Sequence, residues 1–192
     1  MDFSTNIKGY LLEYIDDTHT YLVDGVIVPS ITQLLKPKFG KKYEFVNNRV
    51  LAEAAKKGTY VHQCIEDYCK LGTDVDDCKE LQNFKFLKKQ YGFDVIDNEV
   101  PVILFDNEEP ISAGRMDLVL KIGDDVGIGD IKRTSALDKE YLTYQLNLYR
   151  LAYQQCYDTE INFLKGLHLR EDTRKFVNIP IKENILDFVK EF

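Results

Sequence analysis

Residues 114–133 read GRMDLVLKIGDDVGIGDIKR. Asp117 and Asp130 each interrupt an apolar run whose composition is otherwise that of a β-strand. Ile122-Gly123-Asp124-Asp125 supplies a turn, so the two runs are expected to pair as a hairpin. A strand has period two, so Asp130 and Lys132 share one face and Ile131 takes the other. Such a hairpin gathers two acids and one ammonium. Paired carboxylate oxygens suit Mg2+ or Mn2+, and a nearby lysine suits a phosphate or an attacking water. Asp130 alone could merely cap a turn after Gly129. Yet Asp and Lys are poor strand formers, and their place inside VGIGDIK needs a reason.

Upstream of the hairpin, residues 8–28 alternate apolar and polar around Asp16-Asp17 and Asp24-Gly25, the pattern of a small antiparallel meander. Ser30 and Gln33 form a capping box for a short helix over SITQLL, which Pro37 is expected to stop, with residues 38–42 as a loop. Residues 43–71 read as mostly helical through Val46, Val50, Ala54 and Ala55, with a break and restart at Gly58-Thr59. On the restarted part, Val61, Ile65 and Tyr68 mark the buried side, and His62 and Glu66, four apart, share a face. A helix over 76–91 ends at Gly92, and strands are expected over 93–105, 111–122 and 126–132. Downstream, a helix over 137–157 carries Leu142, Gln145, Tyr149, Ala152 and Cys156 on one stripe. Strands over 163–170 and 175–179 and an amphipathic helix over 182–192 complete the chain.

The 192 residues allow one well-buried core with no obvious internal boundary. The absence of a membrane-length apolar run or a secretory leader leads us to expect a cytoplasmic protein with no membrane partner. Cys64, Cys69, Cys78 and Cys156 lack paired CxxC spacing, which argues for reduced core or surface thiols over a zinc site. A net charge of −7 argues mildly against a nucleic-acid partner. Short basic clusters nonetheless occur at Lys36, Lys38, Lys41 and Lys42, at Lys56 and Lys57, at Lys85, Lys88 and Lys89, and at Lys132 and Arg133. Each reads singly as a solvated face, and together they could line a groove.

GRMDLVL, GDIKR and QLNLY (residues 145–149), preceded by Gly58 and His62, resemble the motifs of the PD-(D/E)XK nuclease superfamily. More narrowly they resemble its RecB-like and phage exonuclease branch. The order histidine, Gly-x-x-Asp, Asp-x-Lys, Gln-x-x-x-Tyr spans 58–149, and Pro29-Ser30-Ile31-Thr32 is similar to the amino-terminal piece of these enzymes. The resemblance implies an α/β (α+β) fold with a restriction-endonuclease-like αβββαβ core, a mixed central sheet flanked by helices, and an N-terminal β-meander. It implies one nuclease domain over 1–192, with the meander and short helix in 1–42 and the catalytic core in 43–192.

By the same resemblance, Asp117 and Asp130 ligate Mg2+ or Mn2+ together with the Ile131 carbonyl and a ring nitrogen of His62. Lys132 positions the water or offsets charge on the phosphate. Gln145 and Tyr149, one helical turn apart, face the site and touch the DNA backbone or support Lys132. Arg115 and Arg133 flank the acids and meet phosphates or are solvated. Glu66 and Glu99 stand as acids just behind the metal ligands, as additional ligands, or as exposed helix or strand-end residues. Several relatives carry an iron–sulfur cluster with three cysteines after the Gln-x-x-x-Tyr helix. Only Cys156 follows Tyr149 here, so no cluster is expected. The expected activity is a metal-dependent DNA exonuclease of a phage or bacterial recombination setting. An endonuclease with the same site, or a DNA-binding module without catalysis, are the alternatives. Oligomeric state is not written in these residues.

Overall fold

Three short turns built from residues in the left-handed region shape the first sheet. Lys8-Gly9 (φ 51° and 90°), His19 (φ 51°) and Asp24-Gly25 (φ 49° and 77°) reverse the chain between strands. The computed structural model describes residues 2–40 and 48–191. Strands β1 (Phe3–Ile7), β2 (Tyr10–Ile15), β3 (Thr20–Val23) and β4 (Val26–Val28) pair antiparallel in that order. The meander therefore begins earlier than the alternation over 8–28 suggests, because Phe3–Ile7 pairs with Tyr10–Tyr14.

After β4 the chain crosses to the main sheet, where Ser30 bridges Ala113. The capping box forms: the Ser30 N–H donates to Gln33 Oε1 at 2.7 Å, and the Gln33 N–H donates to Ser30 Oγ at 3.2 Å. Pro37 does not stop this segment. A single 3-10 turn, Gln33–Leu35, runs straight into helix α1 (Lys36–Phe39), and Pro37 occupies its first turn, where the missing N–H costs nothing. Lys41, Lys42, Tyr43 and Val46, which belong to the expected basic cluster and helix, lie outside the described residues.

Helix α2 (Asn48–Leu71) is continuous through Gly58-Thr59, correcting the expected break. Glycine within a helix costs about 1 kcal/mol relative to alanine, and the packing of Val61, Cys64 and Ile65 in the core offsets it. Helix α3 (Lys79–Tyr91) ends on Gly92 at φ 63°, whose N–H bonds to the Lys88 carbonyl.

The second sheet has the order β5 (Asp94–Asp106), β6 (Glu109–Ile122), β7 (Asp125–Lys132), β8 (Phe163–Arg170), β9 (Thr173–Ile179). All neighbours are antiparallel except β7 and β8, which are joined by helix α4 (Lys139–Tyr157) as a parallel crossover requires. The β5–β6 turn is the pair Asn107-Glu108, so Pro110 lies inside β6 next to a register shift, where strand prolines are tolerated. Helix α5 (Ile185–Lys190) is shorter than expected, starting after Asn184 at φ 53°; Phe192 lies outside the described residues.

The two faces of this sheet bury different cores. Leu118, Leu120, Ile131, Leu167 and Leu169 pack with Val61, Ile65, Leu81 and Phe84 of α2 and α3. Ala113, Val119, Ile128, Leu164 and Ile179 pack with Leu142, Leu146 and Tyr149 of α4, and with Leu12, Tyr21 and Ile31 of the meander segment. The molecule is thus a mixed α+β fold, with a four-stranded antiparallel sheet and a five-stranded mixed sheet flanked by helices. Among the described residues no helix is long and apolar enough to cross a membrane.

Candidate metal centre

The site begins where two strands stop pairing. The β6–β7 ladder runs from Ile122–Asp125 to Leu118–Gly129 and ends there, while β7 continues to Lys132 beside β8. In the gap, Asp117 Oδ2 accepts the Ile131 N–H at 2.7 Å, replacing a ladder bond with a side chain. Its other oxygen, Oδ1, lies 3.6 Å from His62 Nδ1. Asp117 is therefore held by the backbone of the neighbouring strand and presents one oxygen outward. Ile131 supplies that N–H and a buried side chain, and it lines the same narrow cleft as His62, Glu66, Glu99 and Asp117.

Glu99 completes the cluster from β5. Its Oε1 is 3.8 Å from His62 Nδ1, and donor atoms of His62, Glu99 and Asp117 all lie within 4.8 Å of one another. The backbone of Glu99 is left-handed at φ 53°, rare for a residue within a strand and characteristic of functional sites. A register shift lies close by, between Val95 and Asp97. The signal in the sequence is Asp97-Asn98-Glu99, three poor strand formers in a row inside an apolar strand. Glu66 is less available: its carboxylate pairs with Lys70 at 2.7 Å.

Asp130 and Lys132 project to the α4 face with Ile128, as their spacing requires, while Ile131 takes the opposite face. They form an ion pair at 2.5 Å, with Asp130 4% exposed. Asp130 is thus turned to Lys132 and is not one of the three residues, His62, Glu99 and Asp117, whose donor atoms group together.

Charge balance sets the protonation of this group. Burial alone would lower the His62 pKa, but Asp117, Glu99 and Asp130 outweigh it and raise it to about 9. Burial and the nearby Asp117 raise the Asp130 pKa against the opposing pull of Lys132. Lys132 is raised: burial opposes its charge, and Asp130 and Asp117 together overcome that cost.

Gln145 and Tyr149 stand behind the acids on α4, both buried. The two motifs interlock at Gly114. A Cβ there would lie 2.9 Å from Tyr149 Cε1 and 3.1 Å from its hydroxyl, so only glycine lets the ring close over β6. Burial raises the Tyr149 pKa far above the ordinary phenol range, and the ring acts here as packing. Gln145 is 5% exposed with Oε1 unpartnered.

The two arginines are engaged with acids. Arg115 pairs with Glu99 Oε2 at 2.6 Å and lies over the rings of Phe3 and Tyr14, tying the meander to the site. Arg133 points away, pairing with buried Glu80 at 2.6 Å and with Glu171 at 3.4 Å. His168, without a motif to mark it, hydrogen-bonds through Nε2 to the Thr134 carbonyl at 2.7 Å and pins the turn after β7. Cys64, Cys69, Cys78 and Cys156 are free thiols.

An imidazole and two fixed carboxylates, with a third carboxylate adjacent, suit a divalent cation. The high proton affinity of His62 reports the same excess of negative charge that would draw a metal. A nitrogen donor favours Mn2+ over Mg2+, which prefers an all-oxygen shell. No family model matches the chain, and no curated protein matches it significantly. Among solved structures, that of SSO0001 aligns with 85% of this chain and 72% of its own, at 15% identity and a TM-score of 0.43.

Proposed function

We propose that the protein is a metal-dependent deoxyribonuclease of the RecB-like branch of the PD-(D/E)XK superfamily, acting as an exonuclease in phage or bacterial recombination. The observation that carries this reading is the meeting of His62, Glu99 and Asp117 with the Asp130–Lys132 pair at the split between β6 and β7. The motif order and the succession α3-β5-β6-β7-α4-β8 support it, since both follow the αβββαβ core that the resemblance implies.

His62, Glu99 and Asp117 would hold Mn2+ or Mg2+, with Asp130 next to them. A metal held by these residues would supply Lewis-acid chemistry, lowering the pKa of a water and polarising the phosphate. In the reaction, the water oxygen would bond to phosphorus as the water gives up a proton to solvent, the ester bond opposite it would break, and the leaving sugar oxygen would take a proton from solvent, so that the protons balance. Asp130 pairs with Lys132 and favours its charged form, in which Lys132 would contribute positive charge to the phosphate oxygens. Asp117 is fixed by the Ile131 N–H, so it needs no reorganisation as charge develops.

Digestion of end-labelled linear DNA beside a covalently closed circle, with Mg2+, Mn2+ or EDTA, tests the reading. Metal-dependent loss of the linear substrate alone, abolished by Lys132→Ala, is the expected result. Cutting of the circle would make the protein an endonuclease. No cleavage with either metal would reject catalysis.

A further inference from the structure

Both carboxylates of the centre meet His62 with a single oxygen, because the other oxygen of each is engaged elsewhere. Asp117 Oδ2 accepts the Ile131 N–H at 2.7 Å, which turns Oδ1 toward His62. Glu99 Oε2 pairs with Arg115 Nε at 2.6 Å, which turns Oε1 toward His62. Strand register explains the second contact. Glu99 falls between the pairs Asn98–Leu118 and Val100–Met116, and so lies opposite Asp117. Arg115 is two residues from Asp117 on β6, on the same face and diagonal to Glu99, where a long side chain reaches.

Arg115 is itself held. Its guanidinium lies 5.6 Å from the ring centre of Tyr14 and 5.9 Å from that of Phe3, both in the meander. A guanidinium pinned to two rings resists following the Glu99 carboxylate if that group swings to offer both oxygens to one ion. Ions differ in what they ask of a carboxylate. Ca2+ gathers about six to eight oxygens at about 2.3–2.6 Å and readily takes a carboxylate through both of its oxygens. Mg2+ demands near-octahedral geometry at about 2.0–2.1 Å, which single oxygens satisfy. Mn2+ also accepts an imidazole nitrogen.

We propose that Arg115 sets the ion choice of the centre by holding Glu99 to one oxygen, which disfavours Ca2+ against Mn2+ and Mg2+. The proposal rests on the metal-centre reading, and within it Arg115 is a positioning residue that acts on the ion through Glu99. Without the guanidinium, Oε2 is released and Glu99 can present both oxygens to Ca2+. Losing one positive charge also strengthens the attraction of every divalent ion alike. The ratio of two affinities, and neither affinity alone, therefore reports the geometry.

The test titrates Mn2+ and, separately, Ca2+ into the full chain by calorimetry. The proteins are the wild type, Arg115→Met, Arg115→Gln, Glu99→Gln and the double variant Arg115→Met with Glu99→Gln. The wild type should prefer Mn2+, and Arg115→Met should reduce that preference about ten-fold or more, the size typical of losing a group that orients a metal ligand. Arg115→Gln sets an amide N–H where Nε stands and should hold the ratio while removing the charge. In the Glu99→Gln background the side chain has one oxygen whatever stands at 115, so Arg115→Met should leave the ratio unchanged. A wild-type ratio kept in a folded Arg115→Met protein overturns the proposal and leaves the metal centre standing. So does an equal fall in the Glu99→Gln background. A wild type that binds neither ion overturns both the centre and the proposal.

Discussion

Replacing Gly114 by alanine tests whether the Gly-x-x-Asp and Gln-x-x-x-Tyr motifs are one packed unit. The new Cβ would lie 2.9 Å from Tyr149 Cε1, 3.1 Å from its hydroxyl and 3.4 Å from Ile31 Cδ1. Tyr149 and Ile31 are both buried, so neither yields freely. Overpacking of this kind costs about 1–3 kcal/mol, against a gain of about 0.4–1 kcal/mol from restricting the unfolded chain. The net loss is on the order of 1–2 kcal/mol, a fall in melting temperature of about 2–8 °C for a domain of this size. Tyr149→Leu removes both tyrosine atoms that meet the new methyl, the ring Cε1 and the hydroxyl oxygen. Gly114→Ala should then cost markedly less in a Tyr149→Leu background, with a coupling of about 1 kcal/mol in thermal or urea unfolding. Additive losses, or a Gly114→Ala protein as stable as the wild type, would refute the interlock.

Other consequences follow from the charges. The His62 pKa near 9 means that the metal-free protein carries an imidazolium at pH 7.5, so Mn2+ binding should release close to one proton, measured by calorimetry in buffers of different ionisation enthalpy. No buffer dependence would contradict it. Because that pKa lies above the unfolded value of about 6.5, the stability it contributes is complete below pH 6.5 and lost as pH rises through 9. Urea unfolding of the EDTA-treated protein across that window should show the decline, and a flat profile would refute it. Arg133→Met leaves the buried Glu80 carboxylate without its cation and should cost about 3–5 kcal/mol in unfolding while Mn2+ affinity holds. A loss below 1 kcal/mol would show that Glu80 is neutralised another way. Glu99→Gln should weaken Mn2+ binding at least ten-fold by calorimetry, and an unchanged affinity would remove Glu99 from the centre.

Much of this was legible where a residue broke the pattern of its own element. Asp130 and Lys132 in an apolar strand, and the turn chemistry of Asp24-Gly25 and Gly92, translate directly into the faces and ends observed. The partition of acids was less legible. That Asp130 turns to Lys132 while Glu99 joins His62 and Asp117 depends on where the β6–β7 ladder ends and on a left-handed residue within β5. Those features belong to strand register, which local spacing does not encode. The continuity of α2 through Gly58 and the passage of the chain through Pro37 likewise came from packing and cap geometry that overrode local propensity. Arg133 shows a similar limit: a strand alternates its side chains, and one position beyond Lys132 lies Glu80 of α3.

Titration of Mn2+ into the wild type and Asp117→Asn at pH 8, with DNA cleavage measured on the same samples, tests the centre most directly. Among the described residues, Asp117 is the acid that both accepts a backbone N–H, from Ile131, and faces His62. Stoichiometric Mn2+ binding that falls at least ten-fold in the variant, with cleavage lost in step, is the expected result. Mn2+ affinity unchanged in Asp117→Asn, or cleavage that persists in EDTA, would contradict it.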